Sequence, residues 1–174
     1  AIGDGVTRFK IGDRVNSHLY SRWLDGEPGP NEPDYCFGSP LPGGLAEYMI
    51  IHEDSAVGAP ANMSDEEAAT LPIAAPTAWY ALVDFGAIQP GQTVLVQGTG
   101  GVSIFAVQIA TALGAKVIAT SSIHYNLPSV KRLASVSRIN YLTPPNFSYY
   151  FLQPTALALV WLLLHGAGGV GRDH

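Results

Sequence analysis

TVLVQGTGGVS (Thr93 to Ser103) decides the fold of this chain. Its first five residues predict a short apolar strand of the kind that is buried in a parallel sheet. Gly98 to Gly101 predict a tight turn, and Val102 to Leu113 predict a helix that ends at Gly114. A second strand is expected at Lys116 to Thr120, so the sequence predicts a βαβ unit and an α/β fold.

This order of strand, glycine turn and helix is typical of a dinucleotide-binding site. The pyrophosphate of a dinucleotide is anionic and is bound by backbone N–H groups at a helix N-terminus. Glycines let the chain turn sharply and approach the phosphates without a Cβ, and Gly98, Gly100 and Gly101 meet these needs. Ser103 replaces the third glycine of G-x-G-x-x-G and is small enough for close helix–strand packing. The alternative is an ordinary βα turn without a ligand.

The end of the second strand bears on the choice between NAD and NADP. An acidic residue there bonds the ribose 2′-hydroxyl of NAD, whereas neutral or basic groups admit the 2′-phosphate of NADP. Thr120, Ser121 and Ser122 include no acid, and their hydroxyls favour NADP(H). It is equally open that these serines only begin a loop.

The residues before Thr93 predict short strands, a loop and helices. A strand is expected to start near Val15, an irregular loop covers residues 24–44, and a second strand is expected at Leu45 to Ile51. Ser64 and Glu67 form a capping pattern for a helix. Pro72 and Pro76 are expected to break or bend the chain, and Thr77 to Phe85 predict a further helix.

After the βαβ unit the pattern weakens. Ser129 to Ser135 predict a weak helix, and Arg138 to Tyr141 predict a third strand. Beyond Phe147 the pattern places no definite element. Thr155 to Leu164 are apolar but well short of the ~20 residues of a membrane-spanning helix, so a buried strand or helix is expected there.

Composition narrows the class of protein. The chain has 174 residues, a formal net charge of −5 and 47% hydrophobic residues, which suits a packed core and offers no basic surface for nucleic acid. Cys36 is its single cysteine, so no disulfide framework and no cysteine-built zinc site is expected, and a reducing, cytoplasmic compartment is favoured. Ala1 to Lys10 show no signal-peptide pattern.

Other candidate sites are interpreted as having no function. Gly166 to Gly171 fit G-x-G-x-x-G literally, but only three residues follow, too few for a phosphate-binding helix. The histidines are scattered, so no metal site is predicted. Ser103 lies in no G-x-S-x-G elbow, which argues against serine-hydrolase chemistry. No catalytic acid or base is identified.

Several runs together resemble the zinc-independent, quinone-oxidoreductase-like branch of the medium-chain dehydrogenase/reductases, which is similar to the zinc-type alcohol dehydrogenases. The resemblance covers residues 1 to 147. The matching runs are Gly5 to Val15, Gly44 to Tyr48, Ala68 to Pro72 with Thr77-Ala78-Trp79, Val94 to Ser103, and Gly114 to Ser122.

The resemblance implies a fold, a reaction and a set of site residues. The expected fold is a partial GroES-like β-barrel segment followed by a truncated Rossmann domain with a doubly wound parallel sheet. The expected reaction is hydride transfer between NAD(P)H and a quinone, activated alkene or alcohol, without zinc. Thr77 would lie near the nicotinamide and Tyr141 near the adenosine. The pyrophosphate would be held by Gly98, Thr99, Gly100, Gly101, Val102 and Ser103, and the adenosine ribose or its phosphate by Ser121 and Ser122.

The resemblance also implies limits. Residues 1–72 would be part of the catalytic domain, residues 73–147 the N-terminal half of the Rossmann domain, and residues 148–174 a divergent tail. Asn126 stands where the family has a lysine toward the 2′-phosphate, which weakens the case for NADP, and Pro128 interrupts an expected helix. The alternative to an active oxidoreductase is therefore a truncated, inactive chain that keeps at most a cofactor-binding surface. Homo-oligomerisation stays open.

Overall fold

A computed structural model describes residues 1–121, 136–140 and 157–159. The chain divides into two compact units, Ala1–Ile73 and Ala74–His174. The first unit holds a two-stranded sheet and a short helix, and the second holds a four-stranded sheet. The finer division at residues 72 and 147 stays a prediction.

The first unit is organised by one antiparallel strand pair. Strand β1 (Val15–Ser17) pairs with β2 (Ala56–Gly58), and Asn16 lies opposite Val57. Backbone hydrogen bonds extend the pair on both sides, from the Ala59 N–H to the Arg14 carbonyl and from the His18 N–H to the Ser55 carbonyl. The predicted irregular loop at 24–44 contains a 3-10 helix, Glu32–Tyr35, and a second 3-10 helix covers Glu53–Ser55.

The strand predicted at Leu45 to Ile51 is wrong, because these residues form no strand in the structure. Leu45, Tyr48 and Ile50 have exposed fractions of 106%, 90% and 97%. A strand is stabilised by hydrogen bonds to a neighbouring strand and by burial of one face. Within the described part of the chain, no strand is paired with this segment, so its β-forming side chains stay in solvent.

Helix α1 (Asp65–Ala69) begins at the predicted capping box. The Glu67 N–H donates to Ser64 Oγ over 3.2 Å, and the Ser64 N–H donates to Glu67 Oε2 over 2.9 Å. Arg14, just before β1, donates to Asp65 Oδ1 over 2.7 Å and to the Met63 carbonyl over 2.8 Å. The start of this short helix is therefore fixed both by its own cap and by the strand pair.

Glu53 joins the N-terminal segment of the first unit to the loop before β2. Its Oε2 accepts the backbone N–H groups of Arg8 over 2.8 Å and of Thr7 over 2.9 Å. These two bonds hold the pKa of the Glu53 carboxyl below its usual value of 4.5, since they favour the charged form.

We expect this carboxylate to make stability depend on pH. Because the pKa is lower in the folded state, the stabilisation is present above the unfolded pKa and is lost as the pH falls through the folded pKa. Glu53→Gln should therefore flatten the fall in melting temperature between about pH 6 and the region below pH 4.5. Glu47→Gln, at an exposed position of the same unit, controls for net charge. An unchanged pH profile in Glu53→Gln would contradict this role.

Helix α2 (Leu71–Trp79) continues into a π-helical segment, Tyr80–Phe85. Pro76 was predicted to break or bend the chain. A break is wrong, because helix α2 continues through Pro76. Proline in a helix interior removes one hydrogen bond and costs about 3 kcal/mol. Burial of Ala78 and Leu82 in the hydrophobic core offsets that cost. Pro72 lies in the first turn, where no N–H is needed. The predicted helical end at Phe85 is confirmed.

The second unit is a parallel sheet with the order β5-β4-β3-β6. Its strands are β3 (Thr93–Gln97), β4 (Lys116–Ser121), β5 (Val136–Asn140) and β6 (Leu157–Leu159). Helix α3 (Gly101–Ala112) connects β3 and β4 and buries small residues against the sheet. The predicted βαβ unit and third strand are confirmed, and the predicted helix at Ser129 to Ser135 lies outside the described residues.

Strand β6 agrees with the expectation of a strand or a helix between Thr155 and Leu164. Residues Leu157–Leu159 pair in parallel with β3, with Thr93 opposite Leu157 and Leu95 opposite Leu159. A strand of the sheet therefore lies beyond Phe147, within the apolar stretch for which a strand or a helix is expected. In the described part of the chain, no helix combines the length and hydropathy of a membrane span.

Candidate functional site

The glycine turn lies at the carboxyl end of the central strand β3. Strand β3 has β4 on one side and β6 on the other, and all three run parallel. The chain leaves β3 toward β4 through α3 and later returns to the opposite side of β3. In open parallel sheets, ligands bind where the strand order reverses in this way, outside the carboxyl ends of the strands. The sheet topology therefore places the predicted site residues at the position where a ligand is expected.

Gly98 starts the turn in a conformation that favours glycine. Its φ is +83°, in the left-handed region that costs other residues about 1–2 kcal/mol. Its N–H donates to the Thr120 carbonyl of β4 over 2.9 Å. The first residue of the turn is therefore still hydrogen-bonded to the neighbouring strand β4.

Gly100 and Gly101 form the open part of the turn. Gly100 is the N-cap of α3, both glycines are exposed, and Gly100 has no side chain to bond to the first N–H groups of the helix. A Cβ at Gly100 would have no neighbour within 4 Å. The first N–H groups of a helix have no acceptor within the helix, so they need one from outside it. This helix end offers backbone donors and open space to an anion.

Gly101 lies near helix α2. A Cβ at Gly101 would lie 3.5 Å from the Cβ of Ala74 on α2, which is ordinary van der Waals contact. Thr77, predicted to lie near the nicotinamide, follows Ala74 by one helical turn and so shares that side of α2. Thr77 is half-buried, and its neighbour Ala78 is fully buried. The structure thus brings the helix that carries Thr77 to the end of the glycine turn, where α3 begins.

Ser103 is placed differently from a simple packing residue. Its hydroxyl donates to the Gln97 carbonyl, at the end of β3, over 2.9 Å. A Cβ on Gly98 would lie 3.8 Å from Ser103 Oγ, so the serine fills the space beside the turn. Sequence reasoning considered only the size of Ser103 and missed its bond to Gln97. The signal that would have indicated it is a hydroxyl residue at the third glycine of the motif.

The remaining predicted residues divide into described and undescribed ones. Thr99 and Val102 lie half-buried in the turn and in the first turn of α3. The backbone of Ser121 ends β4 opposite Asn140 and directly follows Thr120, whose carbonyl binds Gly98. Ser122, Asn126 and Tyr141 lie outside the described residues, as do Pro128 and the glycines from Gly166 to Gly171.

Among residues 93–121, the polar groups at the turn that could hold an anion are those of the backbone. Lys116 is the single charged residue between Thr93 and Ser121, and it lies opposite Thr93 at the other end of the strands. An anion at the turn would therefore be held by N–H groups and the helix dipole. Among the described residues, no group of three or more His, Cys, Asp or Glu side chains is arranged to hold a metal ion.

Comparison with known proteins gives relatives that include alcohol dehydrogenases and polyketide synthases. No family model matches the chain. The zinc-type alcohol dehydrogenase-like protein of Schizosaccharomyces pombe is 40% identical over 158 residues, which are 88% of this chain and 45% of the relative. A crystal structure assigned to the alcohol dehydrogenases, from Sinorhizobium meliloti 1021, matches with 47% identity and a TM-score of 0.77, covering 82% of this chain and 42% of that one.

Two further structures are similar and differ in cofactor. An NAD-dependent alcohol dehydrogenase matches with 36% identity and a TM-score of 0.71, covering 83% of this chain and 44% of that one. The quinone oxidoreductase of Thermus thermophilus, solved alone and with NADPH, matches with 35% identity and a TM-score of 0.52, covering 57% and 34%.

The sheet and its glycine turn define an α/β protein of the parallel-sheet class. The relatives and structural neighbours described above are alcohol dehydrogenase-like and quinone oxidoreductase proteins of the medium-chain type, which confirms the predicted family resemblance and fold class. The chain spans less than half the length of each of these relatives.

Proposed function

We propose that this chain binds a nicotinamide dinucleotide at the turn from Gly98 to Ser103 and belongs to an NAD(P)H-dependent oxidoreductase. The reaction proposed is hydride transfer between the nicotinamide and a quinone, an activated alkene or an alcohol. The observation that carries the proposal is the uncapped N-terminus of α3, which follows a glycine turn at the end of the central strand.

The residues of the turn fit a pyrophosphate. Gly100 leaves space where a side chain would stand, and a Cβ on Gly101 would reach Ala74 of α2 at 3.5 Å. A diphosphate needs several donors at short range, and the start of α3 supplies backbone N–H groups that its glycine N-cap does not occupy with a side chain. The same geometry suits an anion better than a neutral ligand.

The bound nicotinamide would supply the hydride, and the residues of this chain would orient it. Thr77, one helical turn after Ala74, which a Cβ on Gly101 would reach at 3.5 Å, is proposed to lie beside the nicotinamide end. Thr99 and Val102 are proposed to contact the dinucleotide along the turn, and Tyr141 to pack near the adenosine. The group that donates or accepts the proton in the reaction stays unassigned.

NADP(H) is proposed as the favoured cofactor. Ser121 ends the strand next to β3, in the position where NAD-binding proteins carry an acid for the ribose. Neither Ser121 nor Ser122 carries a negative charge that would repel a 2′-phosphate. The proposal extends to a zinc-independent, cytoplasmic protein that acts on a small molecule and binds neither nucleic acid nor membrane.

Ser121→Asp is expected to reverse the cofactor preference. A carboxylate repels the 2′-phosphate of NADPH and accepts hydrogen bonds from the ribose hydroxyls of NADH. A hydrogen bond to a charged group is worth about 1.5–3 kcal/mol, so the ratio of the two dissociation constants should shift by about tenfold or more toward NADH. Ser121→Asn keeps a similar size without the charge and serves as control. Equal ratios in the Asp and Asn variants would refute the position assigned to Ser121.

The function itself is tested in two steps. Nicotinamide fluorescence is followed while NADPH or NADH is titrated with the purified chain, and oxidation of the bound cofactor is then assayed with a quinone. Binding and turnover are the expected results. Binding without turnover would favour the second candidate, a cofactor-binding surface without activity of its own. If neither cofactor binds, the proposed function is wrong.

A further inference from the structure

The peptide group between Gln97 and Gly98 opens the glycine turn, and both of its polar ends are occupied. Its carbonyl oxygen accepts the Ser103 hydroxyl over 2.9 Å, and its N–H donates to the Thr120 carbonyl over 2.9 Å. One bond comes from α3 and the other from β4. The plane of this single peptide group is therefore fixed from two different elements.

Fixing this plane matters because of the backbone conformation of Gly98. A peptide group can rotate about its two flanking Cα atoms, which turns its carbonyl and N–H to opposite sides with little movement of the chain. Such a flip would change the φ of Gly98 from +83° to a negative value, which glycine adopts equally well. Glycine at position 98 therefore allows both orientations of the peptide group. Hydrogen bonds to the peptide group are needed to favour the observed one.

We propose that Ser103 is a positioning residue for dinucleotide binding: its hydroxyl holds the Gln97–Gly98 peptide against this flip and keeps the turn in its binding conformation before the ligand arrives. The inference rests on the proposed function and adds a role for Ser103 that requires no contact with the cofactor. A turn that is already ordered loses less conformational entropy on binding, which raises affinity without a new contact.

The position of Ser103 in the helix supports this role. It is the third residue of α3, where a serine side chain is free to form several local hydrogen bonds. Here the hydroxyl is donated to the strand, and the N-cap is Gly100, which has no side-chain oxygen to compete for the first N–H groups. The serine therefore secures the turn and leaves the anion-binding end of the helix open.

Ser103→Ala tests the proposal, since alanine removes only the hydroxyl and has the higher helix propensity. The full chain is expected to keep its melting temperature to within a few degrees. The Gly98 amide should exchange its hydrogen faster in the absence of any ligand, while the amides of Val94 to Val96 are unchanged. The dissociation constant of NADPH should rise about 3- to 10-fold, the usual worth of one neutral hydrogen bond. Ser103→Thr keeps a hydroxyl and should restore both values.

Thr111→Val provides a matched control on the same helix. The Thr111 hydroxyl also donates to a backbone carbonyl, that of Val107, over 2.7 Å, but it lies two turns away from the glycine turn. Removing this hydroxyl should leave both Gly98 exchange and cofactor affinity unchanged.

The two readouts separate failure of this inference from failure of the proposed function. Unchanged Gly98 exchange in Ser103→Ala, or an equal change in Thr111→Val, overturns the role of Ser103. Faster exchange with unaltered cofactor affinity also overturns it. If the wild-type chain binds neither NADPH nor NADH, the proposed function and the positioning role fall together, while the exchange data still decide whether Ser103 holds the peptide.

Discussion

Gly98→Ala is expected to remove most dinucleotide binding and to lower the free energy of unfolding by about 1–2 kcal/mol. The φ of Gly98 is +83°, and an added Cβ is strained there even though its nearest neighbour would be 3.8 Å away. The strain is relieved when the peptide before Gly98 flips. A flip breaks the bonds to Thr120 and Ser103 together. Thermal denaturation and a NADPH titration measure the two effects.

Gly100→Ala is expected to weaken dinucleotide binding with a smaller loss of stability than Gly98→Ala. Gly100 has a φ of −79° and no neighbour within 4 Å of a Cβ, so alanine fits without strain, and its weaker N-capping should cost at most about 1 kcal/mol. The new methyl group would stand at the open side of the helix N-terminus, where the phosphates are proposed to approach. We expect NADPH to bind at least about tenfold more weakly. Tight binding by Gly100→Ala would show that the phosphates do not approach this glycine.

The βαβ unit was predictable because its determinants are local. Three apolar residues in a row, a glycine turn and small helical residues each favour one structure over a few positions, and their order leaves little choice of topology. The residues from Gly98 to Ser103 come together because they are neighbours in the chain. The capping box of Ser64 and Glu67 was predictable for the same reason, since both of its hydrogen bonds lie within four residues.

The errors concern residues whose structure depends on distant partners. Leu45 to Ile51 have the composition of a strand, but strand formation depends on a neighbour that no local pattern reveals. Pro76 stays within α2 because Ala78 and Leu82 are buried in the core, which local propensity does not include. Strand β6 pairs with β3 across more than sixty residues of sequence, so its place in the sheet was visible only in the structure.

The candidate site shows the same limit at the scale of single atoms. The type and spacing of the glycines predicted an anion-binding turn. At the start of a helix, a serine hydroxyl can reach several backbone acceptors, and the sequence does not show which one it bonds. In the structure, the Ser103 hydroxyl donates to the Gln97 carbonyl. A predicted site residue can therefore be assigned to the right turn while its particular contact is left open.

The connection between the π-helical segment and β3 gives the other large expected effect. Gly86→Ala would place a Cβ 2.6 Å from the Ala81 carbonyl oxygen and 3.0 Å from that of Leu82. Both atoms belong to the backbone and cannot rotate away, so the segment must shift. We expect a loss of about 1–3 kcal/mol in the free energy of unfolding, or several degrees in melting temperature.

Ala87→Gly, at the next position, is expected to have the opposite sign. Ala87 has a φ of +43°, and relief of that strain gives about 1–2 kcal/mol, whereas the greater freedom of glycine in the unfolded chain costs about 0.4–1 kcal/mol. The net gain should be a few tenths to about 1 kcal/mol. Two destabilised variants would mean that flexibility at this connection matters more than its sterics. If Gly86→Ala is destabilising and Ala87→Gly is stabilising, two different factors act at adjacent positions. At position 86, crowding by the carbonyl oxygens of the π-helical segment requires glycine. At position 87, the positive φ destabilises alanine.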